Sequence, residues 1–274
     1  MNSTFFKLFE PGYIGSLRIG NRIVKAATYT GFASPGGYVS KQLLEHYREL
    51  AIGGSGLVIV EMAFVDDIAS AAWPNQLGVS NLNHVPGLSQ VATIIRESGA
   101  TACLQLSHCG AQKRSGLPPV KAASRIPSEG VYMRGTLGIG WRLNYGKGMP
   151  PEEITFEEIQ DLIKDFGDAA LRAKTCGFDM VEFHACHGYG LSSFLSPKRN
   201  QRNDWYGGPL ENRMRLLLQI AENVQEKCGP EYPICVRLNG SDYETDPPGI
   251  EIKETIEVVK AREGRRACHP RLWW

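Results

Sequence analysis

Short apolar runs alternate with longer amphipathic segments along most of the chain. The short runs are rich in β-branched and aliphatic residues and predict five β-strands, at 22–27, 56–63, 101–107, 179–185 and 232–239. In the longer segments, apolar residues recur at helical spacing and predict five helices, at 41–52, 85–98, 156–176, 211–228 and 252–260. Thr155 and Glu158 have the capping-box spacing of a helix start. Strict strand–helix alternation indicates right-handed βαβ units and a parallel sheet.

The polar residues of the predicted strands help to choose between a doubly wound sheet and a (β/α)8 barrel. No Gly-x-Gly-x-x-Gly motif follows the first predicted strand, which argues against a dinucleotide-binding sheet. Because side chains alternate along a strand, Glu182 and His184 share one face of theirs. Arg237 and Asn239 share a face in the same way. With Gln105, they lie at the carboxyl ends of strands, where barrel enzymes place their chemistry. The sequence therefore predicts an α/β fold of the TIM-barrel type.

The predicted barrel is incomplete, because about five of eight βα units can be counted. After the last predicted helix the chain ends in the polar, Trp-Trp-terminated stretch "AREGRRACHPRLWW". We therefore expect residues 1–262 to be the N-terminal part of a truncated TIM barrel and 263–274 to be an atypical tail. The segment 109–150 is rich in Gly and Pro and too long for an ordinary connector, so we expect it to lie over the barrel mouth.

Charge and cysteine usage narrow the class of protein. The 30 basic and 29 acidic residues nearly cancel, which argues against a nucleic-acid or membrane-surface role and favours a small-molecule partner. No apolar run approaches the roughly 18–20 residues of a membrane span. The N-terminus lacks the features of a signal peptide, so a cytoplasmic location is expected. The seven cysteines contain no Cys-x-x-Cys pair and are interpreted as reduced thiols.

Two histidines, His184 and His187, directly follow an apolar run and admit three interpretations. One could be a core imidazole and the other a loop residue. Both could bind a metal, although no third ligand is evident on a neighbouring strand end. Both could donate hydrogen bonds to an oxygen that gains negative charge, with Tyr189 as a nearby general acid. The residues alone leave these interpretations open.

The stretch "HACHGYGLSSFLSPKRNQRNDWYGGPLENR" (184–213) resembles the signature of the Old Yellow Enzyme family, FMN-dependent NADH:flavin oxidoreductases with a (β/α)8 barrel. The segments 17–31, 56–65, 104–110 and 236–243 resemble other strand ends of that family, in the same order. The resemblance implies an ene-reductase activity. In such enzymes NAD(P)H reduces FMN, and hydride then passes to the C=C bond of an α,β-unsaturated carbonyl compound.

The resemblance also implies roles for individual residues. His184 and His187 match the pair that binds the substrate oxygen, and Tyr189 matches the tyrosine that protonates the α-carbon. Gln105 matches the glutamine at the flavin pyrimidine edge, and Arg237 the arginine beside flavin N1 and O2. The positions that line the flavin ring are Ala27, Thr28, Tyr29 and Met62; Ala27 and Tyr29 depart from the residues common in relatives.

In this family the flavin phosphate lies at loops after the seventh and eighth strands, which the sequence does not match. A truncated fragment unable to retain FMN is therefore one alternative. A metal-dependent lyase or hydrolase that uses His184 and His187 is another. A subgroup of the family carries a 4Fe–4S centre beyond the barrel, which we expect only in a longer parent protein. The sequence leaves the oligomeric state open.

Overall fold

A parallel sheet with helices on one face forms the centre of the molecule. The computed structural model describes residues 6–113, 119–127, 151–243 and 246–263. The elements, in chain order, are α1 (Phe6–Phe9), β1 (Gly12–Ile14), β2 (Leu17–Ile19), β3 (Val24–Lys25), α2 (Lys41–Ile52), β4 (Leu57–Phe64), α3 (Val85–Glu97), β5 (Thr101–Ser107), β6 (Lys121–Ala122), β7 (Glu152–Glu153), α4 (Phe156–Thr175), β8 (Met180–Ala185), α5 (Gly190–Leu195), α6 (Leu210–Arg213), α7 (Arg215–Cys228), β9 (Ile234–Leu238) and α8 (Ile252–Glu263). Short 3₁₀ turns lie at Leu82–His84 and Gly110–Gln112.

The sheet has the strand order β3-β4-β5-β8-β9, and every neighbouring pair is parallel. These are the five predicted strands, so the prediction of βαβ units is confirmed. The predicted helices are confirmed as well, although the one expected at 211–228 is divided at Met214 into α6 and α7. The capping box at the start of α4 is present, because Thr155 and Glu158 exchange side-chain-to-backbone hydrogen bonds.

The two faces of the sheet are covered differently. One face, which includes Val181 and Phe183, packs against the helices in the main hydrophobic core. On the other face, the hairpin of β1 and β2 contributes Ile14 and Ile19 to a smaller cluster with the first halves of the strands. The second halves of β5, β8 and β9 carry polar residues on this face instead. The alternation of side chains along a strand thus separates a packed helix face from a polar face.

Strand β4 contains a bulge that the sequence did not predict. Val60 pairs with Leu104 and Ala63 pairs with Leu106, so two residues of β4 stand opposite the single Gln105 of β5. Bulges of this kind bend a strand and change the direction of its side chains, and they are frequent next to active sites. Met62, one of the residues predicted to line the flavin, lies in this bulge and is buried.

The segment after β8 is fixed by polar side chains that bind backbone carbonyls. Asn200 donates hydrogen bonds from Nδ2 to the carbonyls of Phe194, at 2.8 Å, and Tyr206, at 2.7 Å. The buried Arg213 donates to the carbonyl of Gly208 at 3.0 Å and also binds the carbonyl of Leu195. Buried carbonyls need such partners. These contacts give the second half of the signature a structural role.

Parts of two predicted segments lie outside the described residues. These are 114–118 and 128–150 of the expected mouth loop, and 264–274 of the expected tail. Strand β6, which lies within the mouth segment, pairs in parallel with β7, which follows the segment in the chain. The division into a domain at 1–262 and a tail at 263–274 stays a prediction. No helix within the described residues has the length and apolarity of a membrane span.

Candidate active site

His184 lies near the end of β8, with 3% of its surface exposed. Its Nδ1 is 3.7 Å from the Sγ of Cys186. Its Nε2 is buried and has no hydrogen-bond partner among the described residues. Burial, together with the nearby His187 and Arg237, lowers the pKa of His184 from 6.5 to about 3. The ring is therefore neutral at physiological pH, and its buried Nε2 is available to a ligand as a hydrogen-bonding group.

His187 lies in the turn after β8 and is exposed, with a left-handed backbone φ of 59°. Such values are uncommon for residues other than glycine, and they persist where the surroundings hold the backbone. Here the backbone N–H of His187 donates to Oδ1 of Asn239 at 3.0 Å, and its carbonyl accepts from Nε2 of Gln112 at 3.2 Å. This clamp places the ring centroid of His187 5.5 Å from that of His184.

Tyr189 lies beside His184, with 4.4 Å between the ring centroids. The Nε1–H of Trp73 donates a hydrogen bond to the hydroxyl oxygen of Tyr189 at 3.0 Å. Trp73 also stacks on Tyr29, with the centroids 5.9 Å apart. The sequence analysis missed Trp73, since it lies 116 positions before Tyr189 and outside any predicted element. The three predicted catalytic residues thus come together, and Trp73 joins them.

The turn that carries Tyr189 is tied to the end of β5. The N–H of Gly190 donates to the carbonyl of His108 at 2.8 Å, and the N–H of Gly110 donates to Nδ1 of His108 at 3.1 Å. A Cβ on Gly190 would lie 2.7 Å from this Nδ1, so the close approach requires glycine. Burial lowers the pKa of His108 to about 4. A neutral His108 therefore accepts the hydrogen bond at Nδ1.

Gln105 and Glu182 form a buried pair on the polar face of the sheet. They are register partners of β5 and β8, and Nε2 of Gln105 donates to Oε1 of Glu182 at 2.6 Å. Burial raises the pKa of Glu182, while Gln105 and Arg237 act in the opposite direction. With its N–H used by Glu182, Gln105 can present its amide oxygen to a ligand as a hydrogen-bond acceptor.

Arg237 is the register partner of His184 and is half-buried. Its Nη1 donates to the carbonyl of Ala27 at 3.2 Å, and Ala27 follows β3. Because β3 and β9 are opposite ends of the sheet, this contact shows that the sheet is strongly curled. Among the described residues, no salt bridge within 4.0 Å joins Arg237 to a carboxylate, although Arg237 acts to lower the pKa of Glu182. The guanidinium can therefore face an anionic ligand.

Three of the remaining predicted flavin residues, Ala27, Thr28 and Tyr29, follow β3 in the chain. Ala27 is buried, Thr28 is exposed and donates from Oγ1 to the carbonyl of Ala26 at 3.3 Å, and the hydroxyl of Tyr29 donates to the carbonyl of Pro74 at 2.5 Å. Burial, together with Glu61 and Tyr189, raises the pKa of Tyr29. The roles of these residues toward a flavin stay predictions.

Protonation of His108 is expected to destabilise the protein in acid. The unfolded chain takes up a proton near pH 6.5, whereas the folded His108 takes it up near pH 4. The stability it contributes is therefore complete above pH 6.5 and is lost as the pH falls toward 4, by at most about 1.4 kcal/mol per pH unit. His108→Asn, which keeps an acceptor near Nδ1, should make the free energy of unfolding less dependent on pH in this window. Urea titrations at several pH values measure this free energy. If it changed with pH equally in the wild-type and variant proteins, the prediction would be wrong.

A model of the NADH:flavin oxidoreductase / NADH oxidase family matches residues 7–269. The chain is 39% identical over 238 residues to a metal reductase of Desulforamulus reducens. The aligned region covers 86% of this chain and 33% of that protein. It is 35% identical over 257 residues to an NADPH dehydrogenase of Bacillus cytotoxicus. This aligned region covers 93% of this chain and 67% of that protein. This chain thus spans 33% of the first relative's length and 67% of the second's.

Solved structures of related reductases have the same fold as this chain. A complex of 2-naphthoyl-CoA reductase with 2-naphthoyl-CoA has a TM-score of 0.84 at 30% identity, covering 98% of this chain and 40% of that chain. An Old Yellow Enzyme homologue from Zymomonas mobilis has a TM-score of 0.78 at 26% identity, covering 94% of this chain and 69% of that chain. The resemblance stated from the signature is confirmed: the chain belongs to the NADH:flavin oxidoreductase / NADH oxidase family, to which the Old Yellow Enzymes are structurally related.

Proposed function

We propose that the protein is an FMN-dependent ene-reductase that uses NAD(P)H to reduce the activated C=C bond of α,β-unsaturated carbonyl compounds. The observation that carries this proposal is the buried, unpartnered Nε2 of His184, beside the rings of His187 and Tyr189. Family membership supports flavin and nicotinamide chemistry. The structural relative crystallised with 2-naphthoyl-CoA supports a conjugated carbonyl substrate.

The residues present fit a flavin at the polar face of the sheet. Gln105 can offer an amide oxygen to the N3–H of a pyrimidine edge, and Arg237 can offer a positive charge where reduced flavin is anionic. Both side chains lie on the curled sheet whose ends are joined by the Arg237–Ala27 hydrogen bond. FMN held by these residues would supply the hydride-transfer chemistry that links NAD(P)H to the β-carbon of the substrate.

His184 and His187 would bind the carbonyl oxygen of that substrate. Negative charge develops on this oxygen as hydride arrives, and preorganised N–H donors stabilise it. A neutral imidazole carries one N–H donor, and the lowered pKa of His184 keeps its ring in that form. The clamped backbone of His187 fixes the second donor without a cost of ordering at the moment of reaction.

Tyr189 would deliver the proton to the α-carbon. Its hydroxyl oxygen already accepts a hydrogen bond from Nε1–H of Trp73 at 3.0 Å. This bond directs the hydroxyl proton away from Trp73, toward the side on which a substrate can lie. It also stabilises the phenolate that remains after the transfer, because charge-assisted hydrogen bonds are stronger than neutral ones. Trp73 is thus a positioning residue for the general acid.

Two alternatives from the sequence remain as outcomes of the tests below. A fragment unable to hold FMN would be colourless. A metal-dependent lyase or hydrolase would act without flavin. The 4Fe–4S centre is supported by nothing in the described residues or the comparisons, and Cys268 lies outside the described residues. The cytoplasmic location stays a prediction.

His184→Ala is expected to weaken the binding of a phenol, whose oxygen mimics the charged oxygen of the reaction. Loss of a hydrogen bond to a charged group costs about 1.5–3 kcal/mol, which corresponds to roughly 10- to 100-fold in affinity. Titration of para-hydroxybenzaldehyde into the purified yellow protein, followed by flavin absorbance, measures it. His46→Ala, on α2, is the control and should bind normally. Loss of FMN with unchanged phenol affinity would contradict the role, and colourless wild-type protein would favour the fragment.

Tyr189→Phe is expected to slow enone reduction by about 100-fold or more, the usual contribution of a general acid. The rate at which NADPH reduces the flavin should stay unchanged, because that step needs no proton on a carbon. Trp73→Phe should slow enone reduction by about fivefold to tenfold, since it removes one hydrogen bond to Tyr189. Stopped-flow absorbance separates the two half-reactions. An equal loss in both half-reactions would exclude Tyr189 as the proton donor.

A further inference from the structure

Beyond the proposed reaction, we propose that Nδ1 of His184, Sγ of Cys186 and Nδ1 of His187 form a binding site for one Zn²⁺ ion. The third ligand is not on a neighbouring strand end: Cys186 lies between the two histidines in the chain. In the structure, one ligand atom of each residue lies within 4.8 Å of the others. This site needs neither flavin nor nicotinamide, so it stands or falls independently of the ene-reductase activity.

The distances fit tetrahedral zinc. With Zn–N bonds of 2.0–2.1 Å and a Zn–S bond of 2.3 Å, a tetrahedral ion holds its nitrogen and sulfur ligands about 3.6 Å apart. Sγ of Cys186 is 3.7 Å from Nδ1 of His184 and 3.4 Å from Nδ1 of His187. Both nitrogen–sulfur separations are therefore close to those of a tetrahedral ion, and the ligand atoms of the two histidines lie within 4.8 Å of each other.

The donor set selects the type of cation. Two imidazoles and a thiol suit Zn²⁺ and disfavour Mg²⁺ and Ca²⁺, which prefer oxygen ligands. Three protein ligands leave the fourth tetrahedral position for water or another small ligand. On binding, the thiol of Cys186 loses its proton to solvent, and the thiolate forms the Zn–S bond. With Nδ1 on the metal, each imidazole keeps its proton on Nε2.

The surroundings hold the ligands and admit the ion. His184 is held in β8, an interior strand of the sheet that pairs with β5 and β9. His187 is held in its left-handed turn by Asn239 and Gln112. Cys186 is 1% exposed, and among the described residues its thiol contacts the two Nδ1 atoms as hydrogen-bond partners. The exposed ring of His187 gives an ion a route in from solvent.

Cobalt(II) in place of zinc tests the site with an optical readout of each ligand type. The purified protein, with or without bound flavin, is titrated with Co²⁺, and difference spectra are recorded against the same sample without metal. We expect one Co²⁺ per chain, intense visible bands of a tetrahedral ion, and a near-ultraviolet charge-transfer band from thiolate sulfur; Zn²⁺ should displace the ion and abolish all of these bands. Cys186→Ala should lose the charge-transfer band and weaken Co²⁺ binding by at least about tenfold.

Two further variants keep the outcome decisive. His187→Asn retains a residue type that tolerates the left-handed backbone and should weaken Co²⁺ binding to a similar extent, even if Cys186→Ala folds poorly. Cys228→Ala removes another buried cysteine, at the end of α7, and should leave the spectrum unchanged. Absence of the charge-transfer band in the wild-type protein, or its persistence in Cys186→Ala, would overturn the proposal. So would its loss in Cys228→Ala.

Discussion

The register of β8 between β5 and β9 is the constraint on which the site depends. It pairs Gln105 with Glu182 and His184 with Arg237, and side chains of paired residues in a parallel sheet project from the same face. If β8 slipped by one residue against its neighbours, Val181 would turn to the polar face and His184 to the helix-covered face. Because the opposite face is packed against helices in the main core, such a slip would bury the polar side chains of Glu182 and His184 among apolar ones. The hydrophobic core therefore enforces the arrangement of the polar site.

The sequence predicted the regular elements well because their signals are local. Hydrophobic periodicity located the strands and helices, and alternation placed Glu182 and His184 on one face of β8. The β4 bulge could not be predicted, since it depends on how Val60 and Ala63 pair with another strand. Trp73 was missed for a similar reason. It is a loop residue that contacts Tyr189 only after tertiary folding, and the hydrophobic periodicity of the sequence does not predict such a contact. Cys186 was overlooked because the turn at His187, with its left-handed φ of 59°, brings adjacent residues into ligand geometry.

The signature that carries the family resemblance serves two physical purposes. Its first part, from His184 to Tyr189, presents groups with incompletely satisfied hydrogen-bonding capacity, such as the buried Nε2 of His184. Its second part, which includes Asn200 and Arg213, satisfies backbone carbonyls of a long segment that leaves the sheet. One polar stretch can therefore both form part of the candidate site and hold in place the segment that follows it. Burial contributes to both, because it keeps the imidazole neutral and makes every unsatisfied carbonyl costly.

The central claim is that the two imidazoles at the end of β8 bind an oxygen that becomes negatively charged. A crystal structure of the FMN-loaded protein with para-hydroxybenzaldehyde tests it most directly. The account predicts the phenol oxygen within hydrogen-bond distance of ring nitrogens of both His184 and His187. A phenol bound with its oxygen away from both rings, or excluded from the polar face of the sheet, would contradict the account.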